Sequence, residues 1–136
     1  MATITIVRGL PGAGKSTYAN TLNLPHFEAD MFFVKDGEYK FNAAQLYHAH
    51  RWCLEIVKSH IEEQLDVVVS NTFTTNKELK DYVEYARENN YFIRIVECYA
   101  NYGSIHNVPD ETLVKMKQRW QEVPERWYDE LIKIGE

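Results

Sequence analysis

A three-layer α/β fold is expected for this sequence: a parallel central sheet of about four strands, helices on both faces, and a helical C-terminal lid region. Three observations carry that expectation. A β-branched run, Ala2-Thr3-Ile4-Thr5-Ile6-Val7, leads into a glycine-rich turn and then into helix-compatible residues from Ser16. Strand-like and helix-like stretches then alternate along the chain, the order that yields parallel strands joined by crossover helices. Right-handed crossovers would bring the turns after the strands, at Gly9, Asp30 and Asn71, to one C-terminal edge of the sheet.

The first strand runs into Gly9, Leu10, Pro11, Gly12, Ala13, Gly14, Lys15, Ser16 and Thr17. Gly9, four intervening residues and then Gly14-Lys15-Ser16 is the spacing of a phosphate-binding loop. Glycines permit backbone conformations that turn successive N–H groups inward, and the following helix N-terminus adds partial positive charge. All nine residues are therefore assigned to binding a nucleotide's phosphates. Lys15 is expected to reach the β- and γ-phosphates, and the Ser16 hydroxyl to ligate Mg²⁺. A glycine turn that binds nothing would leave the coincidence of strand, loop and helix unexplained.

After Asn23-Leu24-Pro25, the stretch His26-Phe27-Glu28-Ala29-Asp30 reads as a short strand ending in an acid. Asp36-Gly37 between two aromatic-rich runs signals a two-residue hairpin. Asn42 is a plausible N-cap for a long helix, with Leu46, His50, Cys53, Leu54, Val57 and Ile61 as its apolar stripe. Residues 67–70 form a buried strand, Thr75 or Asn76 caps a third helix reaching Arg87, and residues 91–98 form the fourth strand. Beyond the loop of residues 99–108, Pro109-Asp110-Glu111 starts a helix carrying Lys115, Lys117, Arg119 and Trp120. Val123-Pro124-Glu125 breaks it, and a last short helix is expected over residues 125–134, with no fifth strand.

The 136 residues are read as a single domain, 1–136. A hydrophobic content of 45%, with three Trp and nine Tyr, points to a globular chain. A net charge of −5 argues against broad, non-specific nucleic-acid binding but leaves room for a small basic pocket. No membrane span or signal peptide is evident, and Cys53 and Cys98 fall in no metal or redox spacing. A reducing, cytoplasmic setting is expected.

Six further positions are candidates. Asp30 is placed to accept the proton of an attacking hydroxyl or to hold a metal-bound water, the alternative being a turn cap. Asn71 and Thr72 follow the third strand, where Asn71 could hold a metal-bound water or a substrate hydroxyl, or serve only the turn. Arg119 could stabilise charge on a transferring phosphoryl group, with Lys115 as second choice, or lie on a solvated face or pair with Glu122 or Asp110. His106 sits in the loop before that helix and could touch ligand, though a loop role is favoured. His48, His50 and Cys53 lack a complementary pair of metal ligands and read as core residues. Phe32, Phe33, Tyr39, Phe41 and Trp52 could stack on a base, but core packing is the favoured reading.

On these residues the chain resembles small AAA-type P-loop kinases of the polynucleotide 5′-hydroxyl kinase type, similar to the kinase domain of a ubiquitin-ligase-binding protein. The loop from Gly9 to Thr17 carries the resemblance, together with Glu28-Ala29-Asp30-Met31, Asp36-Gly37-Glu38-Tyr39-Lys40-Phe41 and Ala49-His50-Arg51-Trp52-Cys53. So do residues 67–73, Ile105-His106-Asn107-Val108-Pro109 and residues 116–120. The resemblance implies a P-loop NTPase fold, ATP and Mg²⁺ as cofactors, Lys15 and Ser16 on phosphate and metal, Asp30 as general base and Arg119 as lid arginine. It also implies transfer of the γ-phosphate to a hydroxyl of a nucleic-acid end or a nucleotide-like molecule. Two departures concern the acceptor: Phe33 stands where the bacteriophage enzyme has an arginine, and Asn71 where it has an acid. A small-metabolite or nucleotide kinase, and a non-catalytic ATP-binding switch or adaptor, are the competing readings.

Overall fold

A computed structural model describes residues 1–101 and 108–135 of the chain. β1 (Thr3–Gly9) forms the centre of a five-stranded sheet, with β5 (Val67–Asn71) on one side and β6 (Phe92–Cys98) on the other. β2 (His26–Phe27) and β7 (Glu130–Ile134) are the edges, giving the order β2-β5-β1-β6-β7 with every pairing parallel. α1 (Lys15–Thr21), α2 (Leu46–Glu62) and α3 (Asn76–Glu88) connect and cover it. The short hairpin β3 (Val34–Lys35) and β4 (Glu38–Tyr39) stands apart, and α4 (Asp110–Gln118) lies near the C-terminus.

Alternation along β1 explains the layering. Ile4 and Ile6 join α2 and α3 residues such as Val57, Ile61, Leu79 and Ala86 in the larger core, whereas Val7 joins Ala19 of α1 and Val96 in the smaller one. Fully burying each Val, Ile or Leu contributes about 1.5–3 kcal/mol, so a sheet covered on both faces is strongly favoured. α3 starts on a reciprocal capping box between Thr75 and Glu78. The hairpin turn uses positive φ at Asp36 (52°) and Gly37 (80°), as a two-residue turn of this kind requires.

The structure corrects the sequence reading at several places. The sheet has five strands, not four, because residues 130–134 form β7 and only Glu125–Trp127 turn as a 3₁₀ helix. The outer edge of β6 would otherwise expose unpaired backbone groups, and Leu131, Ile132 and Ile134 suit a strand. Asp129 sets the register: its N–H donates to the Ile93 carbonyl and its carboxylate accepts from the Ile93 N–H, both at 2.8 Å.

Asp30 does not end a strand. β2 stops at Phe27, and Asp30 lies in the 3₁₀ turn Ala29–Phe33. The Asn71 side-chain oxygen accepts the Ala29 N–H at 2.8 Å, turning the backbone out of the ladder. Asn42 does cap, accepting from the Ala44 N–H at 3.0 Å, but the cap opens a 3₁₀ turn and α2 proper begins at Leu46. On α2, Ala49 is buried with Cys53, Leu54, Val57 and Ile61, while His50 is exposed rather than core. α4 ends at Gln118, so Arg119 caps it and Trp120 lies beyond it.

Candidate functional site

The glycine loop is built as its spacing demands. Gly12 and Gly14 have φ of 82° and 93°, values that only glycine adopts without strain. Gly9 is required for a different reason: a Cβ there would lie 2.7 Å from the Cys98 carbonyl oxygen. The Gly9 N–H donates to the Thr72 carbonyl, so the loop is seated between the ends of β5 and β6. Lys15 Nζ donates to the Leu10 carbonyl at 3.0 Å. Burial pushes its pKa down, opposed by the carboxylates of Glu28 and Asp30.

The loop forms one wall of a cavity of about 780 Å³ that also takes in Asp30, Asn71, Thr72 and Arg119. Those positions, far apart in the chain, thus share one site. Asn71 is committed to local structure, since its oxygen holds the turn bearing Asp30 and its amide nitrogen lies 3.8 Å from Cys53 Sγ as donor. Thr72 borders the loop through its carbonyl. Arg119 donates from Nε to Thr74 Oγ1 at 3.0 Å. Lys115 is exposed on α4 and does not line this cavity. His106 falls outside the described residues.

Asp30 faces the hairpin. Tyr39 donates its hydroxyl to Asp30 Oδ1 at 3.4 Å, and burial together with this carboxylate pushes the Tyr39 pKa up to about 12. The aromatic cluster divides between two roles. Phe33 is buried and Phe32 packs beside Trp52, whereas Tyr39 and Phe41 are exposed, line the cavity and stack at 6.5 Å between ring centroids. His50 and Leu46 continue that wall.

Sequence reasoning missed Glu28 as a site residue. Its carboxylate accepts the Ser16 hydroxyl at 2.9 and 3.0 Å and the Ser70 hydroxyl at 2.8 Å. His26 Nε2 lies 2.6 Å from Ser70 Oγ, and burial pushes the imidazole pKa down. A usable signal existed: Glu28 and Asp30 are two apart in a stretch read as extended, where i and i+2 share a face. The reading also missed Arg8, which is wholly buried and pairs with Glu97 at 2.7 Å. Arg8 further donates to the carbonyls of Phe73 (2.8 Å) and Gln121 (2.9 Å), and its guanidinium carbon lies 3.7 Å from the centre of the Trp120 ring. It therefore ties the strand before the loop to the segment after Arg119.

A hydroxyl and two carboxylates bordering a phosphate loop are hard oxygen donors, the kind Mg²⁺ prefers. Among the described residues there is no group of three or more His, Cys, Asp or Glu that could hold a metal ion. Also among the described residues, no helix is long and apolar enough to cross a membrane.

Comparison with known proteins bears on the fold and the family. The chain is 27% identical over 133 residues to human NEDD4-binding protein 2; the match covers 87% of this chain and 8% of that protein's length. Kti12 of Chaetomium thermophilum, solved in complex with ADP-AlF3, superposes with a TM-score of 0.74 at 14% identity, covering 97% of this chain and 88% of that one. A sugar kinase from Janibacter sp. HTCC2649 gives 0.67 at 12% identity, covering 98% and 86%. A chain of the Pnkp1/Rnl/Hen1 RNA repair complex gives 0.59 at 20% identity, covering 93% and 41%. The fold is thus that of P-loop kinase-like proteins. The family model described as "AAA domain" matches residues 4–105, three quarters of the chain and the whole of its phosphate loop, and the chain belongs to that family.

Proposed function

We propose that this domain is an ATP-dependent phosphotransferase that moves the γ-phosphoryl group of ATP to a hydroxyl of a nucleic-acid end or a nucleotide-like molecule. The observation that carries the reading is a single cavity in which the phosphate loop and Asp30 share space with an exposed aromatic pair, Tyr39 and Phe41. Phosphoryl transfer needs the donor's phosphates on one side and a carboxylate beside the attacking hydroxyl on the other. Exposed rings give a base a face to stack on.

In this reading Lys15 leaves the Leu10 carbonyl for the β- and γ-phosphates, while the loop N–H groups hold their oxygens. Mg²⁺ would come with the nucleotide and reduce charge on the β- and γ-phosphate oxygens. The acceptor oxygen forms a bond to the γ-phosphorus as its proton passes to Asp30, the bond from that phosphorus to the bridging oxygen breaks, and ADP leaves. Arg119 lies on the cavity wall to meet charge on the transferring group. The free, buried thiols of Cys53 and Cys98 suit a reducing compartment such as the cytoplasm.

The RNA repair neighbour supports a nucleic-acid end, and the sugar kinase supports a small acceptor. The net charge of −5 favours a short or small acceptor over a long polynucleotide track. The test is label transfer from γ-labelled ATP with Mg²⁺ to 5′-hydroxyl oligonucleotides, nucleosides, nucleotides, sugars and water, with Asp30→Asn as control. The expected result is label on a base-bearing acceptor that disappears in the variant. Label on sugars alone would redirect the acceptor to a small metabolite. Tight ATP binding with no label on any acceptor would favour a switch or adaptor.

A further inference from the structure

We infer that Glu28 is the acid that organises the metal side of this site, partnering Ser16 and leaving Asp30 to the acceptor. The inference rests on the reading that a nucleotide's phosphates occupy the loop.

The two carboxylates lie two residues apart but have different surroundings. Glu28 is in direct contact with the hydroxyl of the loop serine, which reaches both of its oxygens at 2.9 and 3.0 Å. Asp30 instead meets the Tyr39 hydroxyl, on the hairpin side of the cavity. A serine that donates its proton to a carboxylate keeps its lone pairs for a cation and becomes the stronger ligand. No acid stands at the end of β5, where Ser70 and Asn71 occupy the final positions. Ser70 instead donates to Glu28 at 2.8 Å, so β5 contributes by holding an acid supplied from beyond β2. His26 Nε2, 2.6 Å from Ser70 Oγ, completes the line: with Ser70 donating to Glu28, the imidazole nitrogen is the donor to Ser70.

Electrostatics points the same way. A carboxylate against the serine of a phosphate loop repels bare polyphosphate, and the arrangement is favourable only when a cation stands between them. Lys15, which lines the same cavity as Ser16 and Glu28, is one such cation. A divalent ion held by the serine hydroxyl, by phosphate oxygens and by water that Glu28 accepts from would be the second.

The test is ADP binding by calorimetry, first in EDTA and then across a Mg²⁺ series, with Mn²⁺ resonance spectra of the ADP complex as an independent readout. In wild type, Mg²⁺ should tighten ADP binding. Glu28→Gln should leave metal-free ADP affinity unchanged or raise it, while the metal's benefit falls by about tenfold or more and the Mn²⁺ spectrum changes. Ser70→Ala should shift metal dependence in the same direction by less, and it carries the test if Glu28→Gln does not fold. Asp30→Asn should leave metal dependence within about twofold. The inference is overturned if Glu28→Gln, or Ser70→Ala in its place, keeps the wild-type metal dependence. It is equally overturned if Asp30→Asn is the variant that loses that dependence. Failure of wild type to bind ADP at all would instead overturn the nucleotide reading, and this inference with it.

Discussion

Arg8 and Lys15 are two cations that bracket the same glycine loop, and they are held in opposite ways. Arg8 is wholly buried, its guanidinium shared between Glu97, the carbonyls of Phe73 and Gln121, and the face of Trp120. Lys15 borders an open cavity and donates to one backbone carbonyl, that of Leu10. Burial pushes the pKa of both down, but Arg8 is countered chiefly by a partner fixed at 2.7 Å, and Lys15 by the Glu28 and Asp30 carboxylates that line the cavity. A charge whose partners are all protein groups maintains the fold. A charge resting on a neutral carbonyl beside a cavity can exchange that partner for phosphate at little cost.

The largest effect should come from breaking the Arg8 side. Arg8→Met leaves the buried Glu97 charge without its cation, holding only the Tyr99 hydroxyl at 2.9 Å, and a loss of about 3–5 kcal/mol in unfolding free energy is expected by denaturant titration. Arg8→Met combined with Glu97→Leu should recover much of that loss, because an apolar pair carries no stranded charge. A double variant no more stable than the single one would show that the Phe73 and Gln121 contacts, not the ion pair, anchor the segment.

Next in size, Lys15→Ala should invert the pattern. Stability should stay within about 0.5 kcal/mol of wild type, since no buried partner is stranded. ATP affinity should fall by at least about tenfold in calorimetry, the scale of one charge-assisted contact. If Lys15→Ala melted early and still bound ATP, the contrast between the two cations would collapse. Gly9→Ala probes the loop between them. Its Cβ would meet the Cys98 backbone oxygen, so a destabilisation of about 1–3 kcal/mol is expected, with weaker ATP binding. A variant with wild-type melting would mean that the β1 and β6 ends separate easily.

The same contrast explains what could be read in the sequence. The loop was legible because its information is contiguous: Gly9, Gly12, Gly14, Lys15 and Ser16 need only each other's spacing. The Asp36-Gly37 turn and the Thr75 cap were legible for the same reason. Glu28 was legible only as a neighbour of Asp30, not in its role, because the hydroxyls that define that role lie 12 and 42 residues away. β7 was not, because residues 130–134 suit a strand only once β6 offers an edge to pair with. His50 was counted in the core stripe because helical spacing marks a face without saying where the covering layer ends, and α2 runs past that layer into the cavity wall. Asp30 lines the cavity from the 3₁₀ turn after β2, not from a strand end, because β2 stops three residues earlier.

Arg119 should show the smallest effect, and it sharpens the comparison by adding a third cation. Like Lys15 it lines the cavity, and like Arg8 it already has a side-chain partner, Thr74 Oγ1 at 3.0 Å. Thr74 in turn donates to Glu78, so that hydroxyl belongs to the capped start of α3 and not to a mobile side chain. The Nε contact orients the arginine, while Trp120 on the Arg8 guanidinium fixes the backbone just beyond it. An arginine held in this way stabilises charge that develops during transfer more than charge already present in bound ATP. Arg119→Ala should therefore lower kcat by about tenfold or more while KM for ATP changes by less than about threefold. The reverse outcome, a raised KM at unchanged kcat, would assign Arg119 to ground-state ATP binding alongside Lys15. Thr74→Val distinguishes orientation from mere proximity: it keeps the arginine, removes its hydroxyl partner, and should reproduce part of the kcat loss with no change in KM.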